Sequence, residues 1–152
     1  MFLGPALCFD ATTQRCDLAF DGTDLVLDLT PATTMLVMAG SDRRAHTDDV
    51  LPQPQPNPYA PTRLNARRGY PGDALDPNGK LCGSRFWLLR GMKQTEATRR
   101  FAESAAAEGF ADFESLWSMP VTITVRWVMR NMLGFLLVVG QQQMNLSLPV
   151  GS

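Results

Sequence analysis

The sequence has little excess charge, one histidine and three cysteines, and each shortage argues against a class of protein. Fourteen Lys and Arg residues against fifteen Asp and Glu residues give a formal net charge of −1. No overall basic field therefore attracts nucleic acid or an anionic membrane. The cysteines Cys8, Cys16 and Cys82 cannot all pair with one another and match no zinc-binding spacing. Free thiols are typical of a reducing compartment, so we expect a protein made in the cytoplasm.

Long apolar runs and the short motifs of common enzymes are also lacking. The longest apolar run, residues 132–139, is far shorter than the roughly 20 residues that span a bilayer. No serine lies in a Gly-x-Ser-x-Gly motif, and no glycine-rich phosphate loop precedes a helix. We therefore expect a soluble protein with no catalytic residues, no cofactor and no metal site.

The single histidine keeps one enzymatic alternative open. His46 lies close to Asp42, Asp48 and Asp49, and these residue types can hold a metal ion or form an acid–base pair. However, no second histidine or cysteine has ligand spacing beside it, and a loop rich in aspartate is ordinarily a solvated turn. The alternative hypothesis is a small cytoplasmic enzyme that uses His46 with Asp48 or Asp49.

The 152 residues, of which 45% are hydrophobic, are predicted to form one domain. Residues 1–49 contain eight acidic residues and three arginines, whereas the rest contains eleven basic and seven acidic residues. This asymmetry suits a subunit that meets different neighbours at its two ends. Chance segregation of charge produces the same pattern.

Local patterns predict an α+β fold with a small, mainly antiparallel sheet and two or three helices. Apolar runs at residues 18–20 and 25–27 flank an Asp-Gly turn and predict a β-hairpin. Thr30, as N-cap, and Pro31 predict a short buried helix that ends at Gly40.

The second half of the chain shows further helix and strand patterns. Thr95 is the predicted cap of a second helix that Gly109 ends, and a short helical turn is expected over residues 112–117. Residues 121–127 alternate as in a half-buried strand, and residues 133–139 are apolar on both faces.

Two segments are expected to lie outside the independent core. Residues 50–83 hold seven of the eleven prolines and are predicted to form an extended arm. The arm lies along a partner, serves as the ligand of a peptide-binding module, or is a surface insertion without a partner. At the other end, Met144, Leu146 and Leu148 alternate with polar residues. Residues 141–152 are therefore predicted to be a strand-exchanging tail that another chain completes.

Arginines lie beside carboxylates at three places. Arg43 and Arg44 follow Asp42, Arg67 and Arg68 precede Asp73, and Arg85 and Arg90 flank an aromatic pair. Guanidinium groups form bidentate pairs with carboxylates, which suits an internal ion-pair network or a subunit interface. An interface also needs aromatic anchors, for which the candidates are Tyr70, Phe86 and Trp87. Ordinary surface salt bridges, worth about 0–1 kcal/mol each, are the alternative.

Three motifs stand in order in the middle of the chain. They are SDRRA at residues 41–45 with DDVLP at 48–52, RRGYPGD at 67–73, and GSRFWLLR at 83–90 with KQT at 93–95. Together with the acidic hairpin and short helix before them, they resemble the small baseplate protein of Mu-like contractile-tailed bacteriophages and prophages. The resemblance covers residues 9–130.

The resemblance implies a structural protein without enzymatic activity, similar to the wedge subunit from which the contractile sheath starts to polymerise in T-even phages. Such subunits surround the tail tube in six-fold symmetry, so the implied partners are other wedge proteins, the tail sheath, and tail tube or spike-hub proteins. The implied location is the virion tail baseplate, after assembly in the bacterial host cytoplasm. The residues expected to hold loops and neighbours in place are Arg43, Arg44, Arg68, Tyr70, Asp73, Arg85 and Trp87.

The predicted function is therefore a baseplate wedge component that nucleates the sheath by strand pairing, with Met144, Leu146 and Leu148 in the pairing tail. The alternative within the same machinery is a tail adaptor near the tube that does not touch the sheath.

Overall fold

The computed structural model describes residues 4–10, 12–13, 15–52 and 66–151. They form small antiparallel sheets and three α-helices, which confirms the predicted α+β class. Within these residues, no helix is long and apolar enough to cross a membrane.

The chain begins with four short strands that form two antiparallel pairs. β1 (Gly4–Pro5) pairs with β4 (Leu27–Asp28), and β2 (Leu7–Asp10) pairs with β3 (Arg15–Leu18). The predicted hairpin is present as an antiparallel bridge between Phe20 and Leu25. It is shorter than predicted because the residues on either side of the bridge pair with β1 and β2 instead.

Helix α1 (Ala32–Gly40) forms where predicted, but its cap and its burial differ from expectation. The helix starts one residue later than a Thr30 cap requires, with Pro31 at the N-cap position. Only Met35 is buried within it, whereas Leu36 and Val37 remain 39% and 37% exposed. The prediction of a buried helix is therefore wrong, since one face alone packs on the domain.

The carboxylate of Asp28 organises the start of α1. It accepts hydrogen bonds from Thr33 N at 2.9 Å, Thr30 N at 2.8 Å and Thr30 Oγ1 at 2.6 Å. Burial alone would raise the pKa of Asp28, but these hydrogen bonds outweigh it and lower the pKa from 3.8 to about 2. Asp28, which sequence reasoning did not single out, is thus the capping side chain of α1.

Replacing Asp28 by asparagine is expected to lower the free energy of unfolding by about 1 kcal/mol at neutral pH, the usual worth of a cap. The folded-state pKa lies below the ordinary value, so the carboxylate stabilises the fold above pH 3.8 and loses that effect as the pH falls towards about 2. The difference between wild type and variant should therefore shrink over this range in urea unfolding curves. Asp48→Asn, at an exposed position, is the control and should show no such trend.

The middle of the chain contains two 3₁₀ helices, Pro71–Leu75 and Arg85–Gly91. Residues 53–65 of the predicted arm lie outside the described residues. Residues 66–83 do not follow an extended path, because the first 3₁₀ helix lies within them and Arg67 O accepts a hydrogen bond from Ala45 N at 2.9 Å. The second 3₁₀ helix buries the five consecutive side chains from Arg85 to Leu89.

Helix α2 (Glu96–Gly109) and helix α3 (Phe113–Trp117) precede the largest sheet. The Thr95 cap is confirmed, since its side chain accepts a hydrogen bond from Thr98 N at 3.1 Å. The sheet consists of β5 (Val121–Met129), β6 (Met132–Val139) and β7 (Gln142–Pro149), all antiparallel, with β6 in the centre. The core lies between the inner face of this sheet, α2, α3 and the second 3₁₀ helix.

The predicted tail is the edge strand β7. It pairs with β6 of the same chain from Gln142 to Pro149. Met144, Leu146 and Leu148 are half-buried and pack on the two main core clusters. The alternation found in the sequence thus reflects burial within the chain, and pairing with a second chain stays a prediction.

Candidate functional site

Three loop segments and the C-terminal end of α2 meet at one place. Backbone hydrogen bonds join the segments: Arg43 N donates to Ser84 O at 3.0 Å, and Ser84 N donates to Ser41 O at 2.9 Å. The charged side chains gathered around this crossing are called the arginine junction here. They are Asp42, Arg43, His46, Asp49, Arg67, Arg68, Arg85 and Glu108.

Arg85 is the centre of the arginine junction. Its side chain is 8% exposed, and its Nη1 donates to both carboxylate oxygens of Asp49 at 2.8 and 2.9 Å. On its other side, Nε and Nη2 lie 2.8 and 2.7 Å from Glu108 Oε2. The guanidinium carbon also lies 5.3 Å from the centre of the Phe101 ring. One buried cation therefore fixes the loop of Asp49 to the end of α2.

Glu108 receives two further cationic partners. Arg43 Nε lies 3.1 Å and His46 Nε2 lies 3.0 Å from Glu108 Oε1. The Arg43 Nε–H makes no hydrogen bond within the described residues, so its contact is an ion pair without directed hydrogen bonding. Burial tends to raise the pKa of Glu108, but the charges of Arg85 and Arg43 and the hydrogen bond with His46 lower it overall. Glu108 is thus held as a carboxylate.

A second group of contacts surrounds Trp87. Its Nε1 donates to Arg43 O at 2.9 Å, and the guanidinium carbon of Arg68 lies 4.6 Å from the centre of its ring. Arg68 also pairs with Asp42 through Nη1 and Oδ2. Arg43 donates from Nη1 to Leu81 O at 2.6 Å. Trp87 and these arginines therefore tie three loops together by side-chain to backbone bonds.

Asp73 and Arg67 fix the segment that returns from the predicted arm. Asp73 accepts hydrogen bonds from Cys82 N at 2.8 Å and from Tyr70 N at 3.3 Å. Arg67 donates to His46 O and, at 3.0 Å, to Thr47 O. These bonds satisfy backbone groups in loops that lack regular hydrogen-bonded structure.

Of the seven predicted loop-organising residues, the structure brings five together by contacts: Arg43, Arg68, Asp73, Arg85 and Trp87. Arg44 is exposed and Tyr70 is 42% exposed, so both are available at the surface. Phe86, named as an interface anchor, is buried and packs on Phe135 at 4.6 Å between ring centres.

Sequence reasoning missed Glu108 entirely and considered Asp49 only as a partner of His46. Glu108 lies 23 residues after Arg85, and Asp49 lies 36 residues before it. No local pattern connects residues at such separations. The one available signal was the surplus of clustered arginines, which required carboxylate partners somewhere in the fold.

The predicted catalytic arrangement around His46 does not form. Asp49 binds the backbone N–H of His46 at 2.7 Å and not its ring, and Asp48 is exposed. The ring instead contacts Glu108, whose carboxylate also binds two arginines. Among the described residues, no group of three or more His, Cys, Asp or Glu side chains is arranged to hold a metal ion.

These contacts define a class of protein whose charged residues organise structure. The charges of the arginine junction pair with one another or with backbone groups, and they hold irregular loops in a fixed position on an α+β core.

Comparison with known proteins identifies the family. The family model described as phage protein GP46 matches residues 31–145, and the chain belongs to this family. The curated protein named baseplate protein gp46, from Escherichia phage Mu, is 35% identical over 98 residues. The aligned region covers 62% of this chain and 60% of that relative, so the chain spans less than two thirds of its length. No solved structure matches. The resemblance to the Mu-like baseplate protein is confirmed, although the family match begins at residue 31 and not at residue 9.

Proposed function

We propose that this protein is a structural subunit of a contractile phage tail baseplate, and that it is a wedge component at which the tail sheath begins to assemble. The observation that carries the baseplate role is the family match together with the relative named as a baseplate protein. The fixed loops support it, because a subunit in a large assembly must present surfaces in one conformation to bind without an ordering cost.

The outer edge of β7 is the surface proposed for sheath contact. A two-residue turn, residues 140–141, joins β6 to β7, and Val139 faces Gln142 beside it. The pair next to such a turn exchanges backbone hydrogen bonds, and such pairs recur at every second residue. The N–H groups that point away from β6 are therefore those of Gln143, Asn145 and Ser147.

This edge has the properties that strand addition requires. Within the described residues, β7 pairs with no strand other than β6, so the outward N–H and C=O groups are available to a strand from a neighbour. The side chains of Met144, Leu146 and Leu148 hold β7 on its own core. A neighbour's strand would therefore extend the sheet without displacing β7.

A proline at position 145 tests the edge. Asn145→Pro removes one outward N–H, and the natural Pro149 occupies the same type of position in the same strand. We expect purified Asn145→Pro protein to fold with the wild-type circular dichroism spectrum. Tails assembled with it should carry no sheath, or at least about tenfold less, in electron micrographs.

Asn145→Ala is the matched control, because it removes the amide side chain and keeps the backbone N–H. It should support normal sheath assembly. Normal sheath with Asn145→Pro would contradict pairing at the β7 edge and favour the alternative of a tail adaptor near the tube. Particles that assemble normally without the protein would contradict the baseplate role itself.

The surface of the arginine junction is proposed to contact other wedge, hub or tube proteins. Arg44 and Tyr70 are exposed beside it, and the loops that carry them are fixed from below by Arg68 and Asp73. A guanidinium and an aromatic side chain on a rigid loop are typical of interface anchors. Six-fold symmetry around the tail tube is part of this proposal.

A further inference from the structure

Four large apolar side chains form an exposed row on the N-terminal strands, called the apolar stripe here. Phe20 faces Leu25 in an antiparallel bridge, so their side chains lie on the same face. Leu27 and Leu29 follow at intervals of two residues, which places them on the same face as Leu25. Their exposed fractions are 65% for Phe20, 38% for Leu25, 52% for Leu27 and 66% for Leu29.

Such a row is unusual on a surface that meets only water. Exposed apolar residues are common singly, whereas a contiguous group with a polar rim marks a contact site. From Leu25 to Leu29 the stripe extends about 13 Å at 3.3 Å per residue. It precedes the region matched by the family model, which begins at residue 31.

The rim of the apolar stripe is acidic. Asp17, Asp21 and Asp24 are exposed, and each carboxylate accepts hydrogen bonds from N–H groups close to it in the chain. None of the three forms a salt bridge with another described residue. A complementary surface must therefore combine apolar side chains with positive charge.

The same chain carries such a surface at the tip of the β5–β6 hairpin. Val128 and Met129 are 44% and 63% exposed, and Arg126 and Arg130 are exposed beside them. A register shift between Trp127 and Met129 interrupts the regular pairing here. We call Arg126, Val128, Met129 and Arg130 the basic tip.

The apolar stripe and the basic tip are associated with opposite ends of the large sheet. Helix α1, which follows the stripe in the chain, buries Met35 in the cluster that contains Val139 and Val121. The basic tip lies at the other end of β6, whose eight residues extend about 26 Å. Contact between the two surfaces therefore requires two molecules.

We propose that copies of this protein bind one another head to tail, with the apolar stripe of one copy on the basic tip of the next. Such a heterologous contact leaves an unused stripe and an unused tip on every pair, so it builds rings or open chains and not closed dimers. A contact of this size lies below the roughly 800 Å² per partner of stable complexes. The expected dissociation constant is on the order of 0.1–1 mM, so the contact becomes effective when neighbours hold the copies close together.

Sedimentation of the purified full-length protein tests this contact independently of any baseplate role. The wild type should associate as its concentration rises to about 1 mM, and more weakly in high salt. Leu29→Ser should raise the dissociation constant at least about tenfold. Leu75→Ser is the matched control, because Leu75 is 84% exposed in a different segment, and it should change nothing.

Charge reversal identifies the two partners. A variant with Asp17→Lys and Asp24→Lys should not associate, and neither should a variant with Arg126→Glu and Arg130→Glu. Each then presents two surfaces of the same charge, and mixing the two variants should restore association.

A wild type that stays monomeric up to 1 mM, or association that both charge-reversed variants retain, would overturn the proposal. Binding of the apolar stripe to another virion protein, with this chain monomeric, would also overturn it and assign the stripe to that partner. Circular dichroism of each variant separates loss of the contact from loss of the fold.

Discussion

Replacing Arg85 by methionine is expected to lower the free energy of unfolding by about 3–5 kcal/mol. The substitution keeps an apolar side chain of similar length but leaves the buried Asp49 carboxylate without its cation, and Glu108 without one of its two arginine partners. Removing one member of a buried ion pair is costly because the remaining charge stays in a medium that solvates it poorly. Urea unfolding followed by tryptophan fluorescence measures the loss.

Two further variants separate this effect from loss of packing alone. Combining Arg85→Met with Asp49→Leu removes both charges, and we expect the double variant to recover at least about 1 kcal/mol relative to Arg85→Met. Arg100→Ala removes an arginine whose side chain is 76% exposed and whose ion pair with Glu96 is 3.5 Å long. It should cost less than about 0.5 kcal/mol. Equal losses for Arg85→Met and Arg100→Ala would contradict the central role of Arg85.

Replacing Gly83 by alanine is expected to destabilise the protein by about 3 kcal/mol. Gly83 has a φ of +91°, which other residues rarely adopt, and an added Cβ would lie 2.5 Å from Ser41 O and 2.8 Å from Ser41 C. The obstructing atoms belong to the backbone, so relief requires the two loop segments to separate. Thermal unfolding by calorimetry gives the change.

Gly79→Ala is the matched control for Gly83. Its φ is also positive, at +66°, but nothing lies within 4 Å of the added Cβ. The backbone cost alone, about 1 kcal/mol, should therefore remain. If Gly83→Ala is no more destabilising than Gly79→Ala, the close approach of the segments does not contribute to stability.

Both predictions have a structural consequence for the proposed baseplate contact. Ser84, next to Gly83, exchanges backbone hydrogen bonds with the segment that carries Arg43, and Arg85 follows directly. Loss of either the close approach or the buried cation would release the loops that present Arg44 and Tyr70. We therefore expect the two variants to weaken binding to neighbours even at temperatures where the core stays folded.

The sequence alone determined much of the regular structure. The Thr95 cap, the stop at Gly109 and the alternation over residues 121–127 predicted α2 and β5, because caps and periodicity depend on neighbouring residues only. The order of three motifs also carried the family, which the comparisons confirmed. Local chemistry sufficed for both results.

Only the tertiary structure decided which charges meet and which apolar residues stay exposed. Arg85 finds its partners 36 residues before and 23 residues after itself, and loop closure over such distances leaves no periodic trace in the sequence. In the same way, Leu36 and Leu146 are both apolar residues at ordinary positions, yet one is exposed and the other packs on the core. Burial depends on which elements pack together, and that choice is made by the whole chain.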